Sequence, residues 1–423
     1  MKKKTLQKIS RLFASLVLVG AMSLGTVATV NAAGATIWRE DQTPTAAFTV
    51  EYKRATGVEV PKIDFQVTFT KTGFKQSDAD STMNTTEPVK SKMPSITTTT
   101  VSFEKNDTKQ KKESTNFLGN FLSDLSTTNN GAGIYYYTVS QNTPTFQKNN
   151  DQDELIVSDA KYLVKVYVAQ KSDGSGLYIK GLVVINGTTD STTPGDKVDA
   201  TPGGPTGSGS TSNMVFTNEY IAKNGTGGGD ENKPKPDDPK TYGLKVEKAV
   251  AGNGASATKD FSYTMKITAP ADITTTDTQY TYYKVSADGA TVTLGGKGTY
   301  GTDATFTLKA KESILVKSCY AGSKLEITEK GAANWTPQVD VTLGGSAYQQ
   351  KTGGMGIDLA FTSTEDHPIG QNNNIVKYTN TFLDNPVTGI IVNNFPFVMM
   401  IVMAMAAFVA IVAVKSRRRM NER

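Results

Sequence analysis

Side chains that commonly carry metal, redox or nucleophilic chemistry are scarce in this chain of 423 residues. There is one cysteine, Cys319, and one histidine, His367. A single cysteine cannot form an internal disulfide, and one Cys with one His falls short of the usual zinc ligand count. Cys319 is therefore predicted to be a small buried hydrophobic residue. We expect no bound metal and no cofactor.

The motifs of common enzyme sites are also missing from the sequence. Gly252-Asn253-Gly254 and the glycine-rich residues 225–229 do not complete a G-x-G-x-x-G loop that opens a helix. Neither a G-x-S-x-G elbow nor a Ser/His/Asp order is present. The chain is therefore not expected to be an enzyme that acts on an outside substrate.

A repeated arrangement of lysine and asparagine is the chemistry that the chain does offer. The two halves echo each other in residues 53–57 and 248–252, 65–69 and 261–265, and 216–220 and 378–382. In each half a lysine lies on the first of these segments and an asparagine on the last. The first half has Lys53 and Asn218, and the second has Lys248 and Asn380.

Alternating apolar and polar residues predict that these groups are positioned by β-strands. The pattern is clear in residues 63–71, 162–168, 244–250 and 261–267. Residues 117–125 could form one short helix. Many short strands separated by Gly, Asn and Asp turns predict an all-β fold of two tandem Ig-like β-sandwich domains.

Both ends of the chain have the pattern of targeting segments. Residues 1–32 have the basic start, apolar stretch and small-residue cleavage site of a secretory signal peptide. Five basic residues lie in this segment, and five basic residues and one acidic residue follow Gly389. The remaining, mature part has 35 basic and 39 acidic residues, a net charge of −4. The positive charge of the whole chain therefore does not indicate nucleic-acid binding.

Composition divides the mature chain into two domains. Residues 223–240 are rich in Gly, then in Pro and charge, and predict a semi-stiff linker. The N-terminal domain is placed at residues 33–222 and the C-terminal domain at residues 241–384. Residues 385–423 form a separate tail.

The tail resembles the cell-wall sorting signal of Gram-positive surface proteins. Asn385, Pro386, Val387, Thr388 and Gly389 precede an apolar run, residues 395–414, that is long enough to span a bilayer, and a basic end follows. The family motif is Leu-Pro-x-Thr-Gly, so Asn385 replaces Leu. The resemblance implies that a sortase cuts between Thr388 and Gly389. The alternative is a single-pass membrane protein that keeps its span.

The two domains resemble the isopeptide-linkage domains of Gram-positive major pilins, in particular the streptococcal T-antigen-like backbone subunits. The likeness rests on the order of several short segments: residues 133–137, 244–248, 259–261, 325–329 and 378–380. The resemblance implies that a Lys and an Asn in each domain join in an isopeptide bond, promoted by a nearby acid. In the C-terminal domain these residues would be Lys248, Asn380 and Glu329.

The N-terminal domain departs from this pattern in two ways. Gln141 occupies the position of the acid, and Gln cannot carry the required proton. Lys53 is out of phase with Phe48, Val50 and Tyr52 on its strand. The pair Lys53 and Asn218 is therefore a weaker candidate for a bond.

These resemblances imply a secreted structural protein of the cell wall or pilus, spanning the membrane only as a precursor. Its expected partners are a sortase, other copies of itself and peptidoglycan. The alternative is a monomeric wall-anchored adhesin or minor pilin that binds a host surface ligand. A backbone subunit also needs an acceptor lysine; the matching position is Thr211, with Lys197 and Lys223 nearby.

Overall fold

The computed structural model describes residues 35–77, 79–80, 82–105, 107–125, 130–203, 212–225, 233–383 and 395–421. The chain divides into two compact units. Unit 1 comprises residues 1–53, 61–147 and 156–219, and unit 2 comprises residues 54–60, 148–155 and 220–423. The predicted signal peptide and the sorting motif at residues 385–389 lie outside the described residues.

Unit 1 is built mainly of strands in two sheets. Their bounds are β1 (Ala35–Ile37), β2 (Thr49–Arg54), β3 (Ile63–Lys75), β4 (Thr99–Phe103), β5 (Lys111–Glu113), β6 (Gly133–Gln141), β7 (Glu154–Ile156), β8 (Lys161–Gln170), β9 (Leu177–Asn186), β10 (Lys197–Val198) and β11 (Val215–Ile221). The larger sheet has the order β1-β9-β8-β6-β3-β4, with β10 also paired to β9. The smaller sheet has the order β5-β2-β11-β7.

Unit 2 repeats this plan. Its strands are β12 (Lys223–Asn224), β13 (Leu244–Ala251), β14 (Phe261–Thr268), β15 (Gln279–Val285), β16 (Val292–Thr299), β17 (Ala304–Leu308), β18 (Ser313–Val316), β19 (Cys319–Tyr320), β20 (Lys324–Glu329), β21 (Trp335–Leu343), β22 (Ser346–Thr352), β23 (Leu359–Thr362) and β24 (Ile375–Phe382). One sheet has the order β16-β15-β18-β13-β24-β21-β22, the other the order β17-β14-β20-β23, and β12 pairs with β19.

Alternation along the strands builds the core of unit 2. Successive strand residues point to opposite faces, so alternate residues of β13, β14, β20 and β24 point inward, and all of these except Val250 and Phe382 are buried. Buried apolar residues from both sheets form one cluster. The expectation of a mainly β chain is confirmed, and the predicted strands at 63–71, 162–168, 244–250 and 261–267 are present as β3, β8, β13 and β14.

Helices are few among the described residues. Apart from short 3₁₀ turns, they are α1 (Glu87–Ser91), α2 (Gly119–Asp124) and α3 (Phe395–Asn421). The predicted short helix within residues 117–125 corresponds to α2. Within the part of the chain that is described, no helix is both long and apolar enough to cross a membrane, so the predicted span at residues 395–414 stays a prediction.

Candidate functional site: a buried lysine, glutamate and asparagine

Three polar residues occupy positions in the apolar rows of unit 2. Lys248 follows Leu244 and Val246 on the inward face of β13, and Asn380 follows Val376 and Tyr378 on β24. These two strands are parallel neighbours, with Lys248 paired to Tyr378. Alternation therefore directs both side chains into the core from the same sheet.

Glu329 enters the same place from the facing sheet. It is the last residue of β20 and continues the inward row of Leu325 and Ile327. The Lys248 Nζ lies 3.2 Å from Oε1 and 3.3 Å from Oε2 of Glu329. The Asn380 Nδ2 lies 2.5 Å from Glu329 Oε1. One carboxyl group therefore contacts both the amine and the carboxamide.

Burial sets the electrostatics of these groups. Lys248, Glu329 and Asn380 are each at most 2% exposed. Loss of water disfavours charge, so it lowers the pKa of Lys248 to about 8, against the opposing effect of Glu329. Burial likewise raises the pKa of Glu329, although the neighbouring ammonium and hydrogen bonds oppose that rise. Both shifts favour the neutral amine and the neutral acid.

Two aromatic residues of β14 complete the site, and the sequence analysis predicted no role there for either. The Tyr263 hydroxyl donates to Glu329 Oε2 at 3.1 Å, because Tyr263 is paired with Glu329 across β14 and β20. The Lys248 Nζ lies 3.9 Å from the centroid of the Phe261 ring. Both lie in segments that the sequence analysis used for the internal echo and, for Phe261, the pilin resemblance, but no role at the site was predicted for either because a segment does not reveal its pairing partner.

The carboxamide of Asn380 has one unsatisfied atom. Its Oδ1 is buried and has no hydrogen-bond partner among the described residues. Rotation of the amide by half a turn would bring Oδ1 to the atom of Glu329 that Nδ2 now contacts. A neutral Glu329 would then donate its proton to Oδ1, and O–H···O bonds to carboxyl groups are commonly this short. That exchange would satisfy Oδ1 and polarise the carboxamide carbon.

The corresponding place in unit 1 contains an amide pair. Asn218 is fully buried. Gln141 Nε2 donates to Asn218 Oδ1 at 2.6 Å, and Asn218 Nδ2 donates to Gln141 Oε1 at 3.0 Å. Ser158 N also donates to Asn218 Oδ1, at 3.0 Å. The carboxamide of Asn218 is therefore held by neutral partners.

Lys53 is not brought to Asn218. Its Nζ lies 3.8 Å from Glu219 Oε1, and its side chain is 37% exposed. Glu219 follows Asn218 on β11, so their side chains point to opposite faces. The candidate pair Lys53 and Asn218 thus lacks the geometry that unit 2 has, because Lys53 is on the outward row of β2.

Strand register identifies the residue of unit 1 that corresponds to Lys248. Lys245 N donates to Asn374 O in unit 2, and Thr49 N donates to Met214 O in unit 1. In unit 2, Lys248 lies beside Tyr378. In unit 1, Glu51 is bonded to Thr217 and Asn218, so counting on from Thr49 places residue 50 beside residue 216. Val50, which is fully buried, therefore stands where unit 2 has its lysine.

The remaining candidate residues have other surroundings or lie outside the described residues. Thr211 and the sorting motif, Asn385 to Gly389, lie outside the described residues. The Lys223 Nζ pairs at 3.0 Å with both Glu154 and Asp277. Cys319 is buried as predicted, its thiol donates to Asn224 Oδ1 at 3.1 Å, and burial raises its pKa to about 12.

Comparison with known proteins gives partial matches. A family model described as a domain of unknown function (DUF7601) matches residues 242–365. The pilus tip adhesin Cpa of Streptococcus pyogenes is 32% identical over 110 residues, which is 26% of this chain and 15% of that relative. The chain thus spans only a small part of that protein's length.

Comparison with solved structures also gives matches of low identity. The major pilin of Streptococcus pyogenes is 16% identical, with a TM-score of 0.31, and the match covers 80% of this chain and 99% of the pilin. The major pilin T3.2 of the same species is 18% identical, with a TM-score of 0.32, covering 83% and 100%.

Proposed function

We propose that this protein is a structural subunit of a cell-surface pilus whose C-terminal domain is stabilised by an isopeptide bond between Lys248 and Asn380. The observation that carries the proposal is the contact of one buried carboxyl group, Glu329, with both of these side chains. A buried amine, acid and carboxamide in contact have the groups that amide exchange requires. Glu329 is the proposed catalytic residue, and the protein acts only on itself.

The reaction transfers an acyl group from one nitrogen to another. The neutral Lys248 Nζ attacks Asn380 Cγ while the Glu329 proton is shared with Oδ1, which stabilises the developing charge. Glu329 then takes a proton from the attacking nitrogen and delivers it to Nδ2. The Cγ–Nδ2 bond breaks, ammonia leaves, and the new Nζ–Cγ amide remains. The proton shared with Oδ1 returns to Glu329 as the carbonyl re-forms, so Glu329 ends the cycle protonated as it began.

Folding brings the amine and the carboxamide into contact. Placing amine and carboxamide on adjacent parallel strands makes the attack intramolecular, and such orientation can replace a large part of a bimolecular barrier. An unlinked native state would also retain a buried amine and acid, which is costly unless they are well paired. Formation of the neutral amide eliminates the buried amine and its energetic cost.

The position of the bond suits a protein under tension. It ties β13 to β24, the first and last strands of the sandwich, in a chain whose single cysteine excludes an internal disulfide. Force applied to the two ends of the domain would pass through the covalent tie before it reached the strands between. We infer that this bond takes the place of disulfides in an exported structural protein.

The tail motif supplies the proposed route to the cell surface. The resemblance of residues 385–423 to a sorting signal supports export, transient retention at the membrane, and transfer of Thr388 by a sortase to another copy or to peptidoglycan. An immunoblot of cell-wall extracts tests this proposal. A ladder of high-mass species is expected, and a single band in every extract would exclude a pilus backbone.

A wall-anchored adhesin or minor pilin is the second candidate. It is favoured by the partial similarity to the pilus tip adhesin Cpa. The same immunoblot separates the candidates: an adhesin or minor subunit would either give a single anchored band or enter the ladder only when another major subunit is present.

A further inference from the structure

One end of unit 2 carries an uncharged surface with exposed apolar side chains. We call it the end face, and it consists of residues 251–257, 331–334, 353–357 and Leu383. None of these residues is charged. The large apolar side chains on it are Met355, Ile357 and Leu383, which are 47%, 61% and 45% exposed. Such a cluster on an exported protein indicates a surface that another molecule covers.

Backbone contacts make these segments one surface. Leu383 N donates to Asn334 O, and Gly356 N donates to Trp335 O, so three of the segments meet around Trp335. The fourth, residues 251–257, lies beside the chain just before Leu383, because a Cβ on Gly252 would lie 2.3 Å from Phe382 O. A Cβ on Gly331 would lie 2.2 Å from Gly356 O, which shows how closely two of the loops pack. Beside them, the Lys330 and Asp358 side chains pair at 2.9 Å and neutralise each other. The apolar residues therefore project from a structured platform.

The length of chain beyond Leu383 determines what can cover this surface. Thr388, the residue that the proposed sortase reaction joins to a partner, is five residues further on. Five extended residues reach at most about 17 Å. Whatever is attached to Thr388 is therefore held beside the end face, at a high effective concentration.

We propose that the end face is the contact surface for the next copy of this chain in the pilus. The inference rests on the proposed function, because a second copy is attached at Thr388 only if the chain polymerises. It adds that the joint between subunits is a packed apolar contact and not only a flexible covalent link. The exposed apolar side chains of loop 353–357 would lose contact with water when the joint forms.

Hydrogen exchange measured by mass spectrometry tests the contact without altering the protein. Pili released from cell walls are compared with the monomer ending at Thr388. Amides of residues 353–357 should exchange about tenfold more slowly in the polymer. Peptides of β16, which also carries an exposed apolar residue, Leu294, should be unchanged and serve as the reference.

A matched pair of variants gives a second readout. Ile357→Asp should shift the wall ladder to shorter species, whereas Leu294→Asp should not, because its 64% exposed side chain lies outside the end face. Equal melting temperatures of the monomers establish that both variants fold.

Equal exchange in polymer and monomer would overturn the inference and leave the pilus proposal standing. Equal protection on single wall-linked copies would assign the face to the wall and also overturn it. Absence of any wild-type polymer would remove both proposals.

Discussion

A buried lysine and glutamate can share a single proton, and this makes the proposed reaction possible near neutral pH. With the pKa of Lys248 at about 8 and that of Glu329 raised, the amine and acid approach each other in proton affinity. The form with a neutral amine and a neutral acid has the same proton count as the ion pair. Burial therefore brings the reactive form within reach without a change in total charge.

The lowered pKa of Lys248 predicts a pH-dependent stability once the bond is prevented. In Asn380→Ala the amine stays free. Its folded-state pKa, about 8, lies below the unfolded value, about 10.4, so the unfolded chain binds more protons between these values. The destabilisation is complete below pH 8 and is relieved as pH rises. Urea unfolding at pH 8 and pH 10 should show a higher midpoint at pH 10.

A double variant provides the control for that experiment. Lys248→Met/Asn380→Ala has no amine to titrate at this place, so its midpoint should not rise between pH 8 and pH 10. A rise of equal size in both variants would assign the effect to other groups, such as the many buried tyrosines, and would contradict the lowered pKa of Lys248.

Tyr263 is predicted to position Glu329. Tyr263→Phe removes the hydroxyl that holds Oε2, and an unsatisfied buried acceptor costs about 1–3 kcal/mol. Bond formation after synthesis should slow by roughly tenfold, followed as loss of ammonia by intact mass over time. The pH below which the rate of bond formation falls should also move upward, because loss of the donor raises the pKa of Glu329 further. The control is Tyr282→Phe, a core tyrosine not bonded to Glu329; equal rates in both variants would remove Tyr263 from the site.

At the scale of elements, alternation within strands was predictable and pairing between strands was not. The pattern in residues 244–250 places Lys248 inward, and the phase of Phe48, Val50 and Tyr52 places Lys53 outward. The contact of Tyr263 with Glu329 depends on the register of β14 with β20. The equivalence of Val50 to Lys248 depends on the register of β2 with β11. Register is determined by packing across the whole sheet, so no local segment encodes it.

The comparison of the two units predicts which changes would give unit 1 a bond. Gln141→Glu alone should leave it unlinked, because Val50 offers no amine. Val50→Lys with Gln141→Glu should link position 50 to Asn218, with a mass loss of one further ammonia. The reason is that the double change reproduces the amine, acid and carboxamide of unit 2 on the equivalent strands.

Peptide mapping distinguishes the outcomes of that design. A cross-linked peptide joining β2 and β11 in the double variant, and none in Gln141→Glu, is the expected result. Lys53→Ala serves as the control and should change neither mass nor linkage. A native link from Lys53 to Asn218 would contradict the assignment of Val50 as the equivalent of Lys248.

At the scale of the whole molecule, sorting is predicted to depend on the motif at residues 385–389. Thr388→Ala or Gly389→Ala should leave the protein in the membrane fraction or the medium, because the proposed sortase forms its bond through Thr388. Cell fractionation with detergent extraction measures this. The matched control is Thr305→Ala, the same change at an exposed position of β17, which should still reach the wall. Retention of the Thr388 variant on detergent-washed walls would contradict the sorting proposal.

The covalent tie is predicted to dominate the stability of unit 2. It would close a loop of more than a hundred residues, which on the chain-entropy account of cross-links is worth about 5 kcal/mol. Lys248→Ala, Glu329→Ala and Asn380→Ala should each lower the melting temperature of this unit and expose it to protease. Unit 1, in which Val50 and Gln141 replace two of the three groups, should be the less stable of the two and the first to be cut.

The most direct test of the central claim is the intact mass of the mature protein, combined with a peptide map. The account predicts a mass below the sequence value by one ammonia, and one cross-linked peptide that joins Lys248 to Asn380. Glu329→Ala should restore the full sequence mass, apart from the substitution, while Glu326→Ala on the outward face of the same strand should keep the loss. A native protein at its full sequence mass, with Lys248 and Asn380 recovered in separate peptides, would contradict the account.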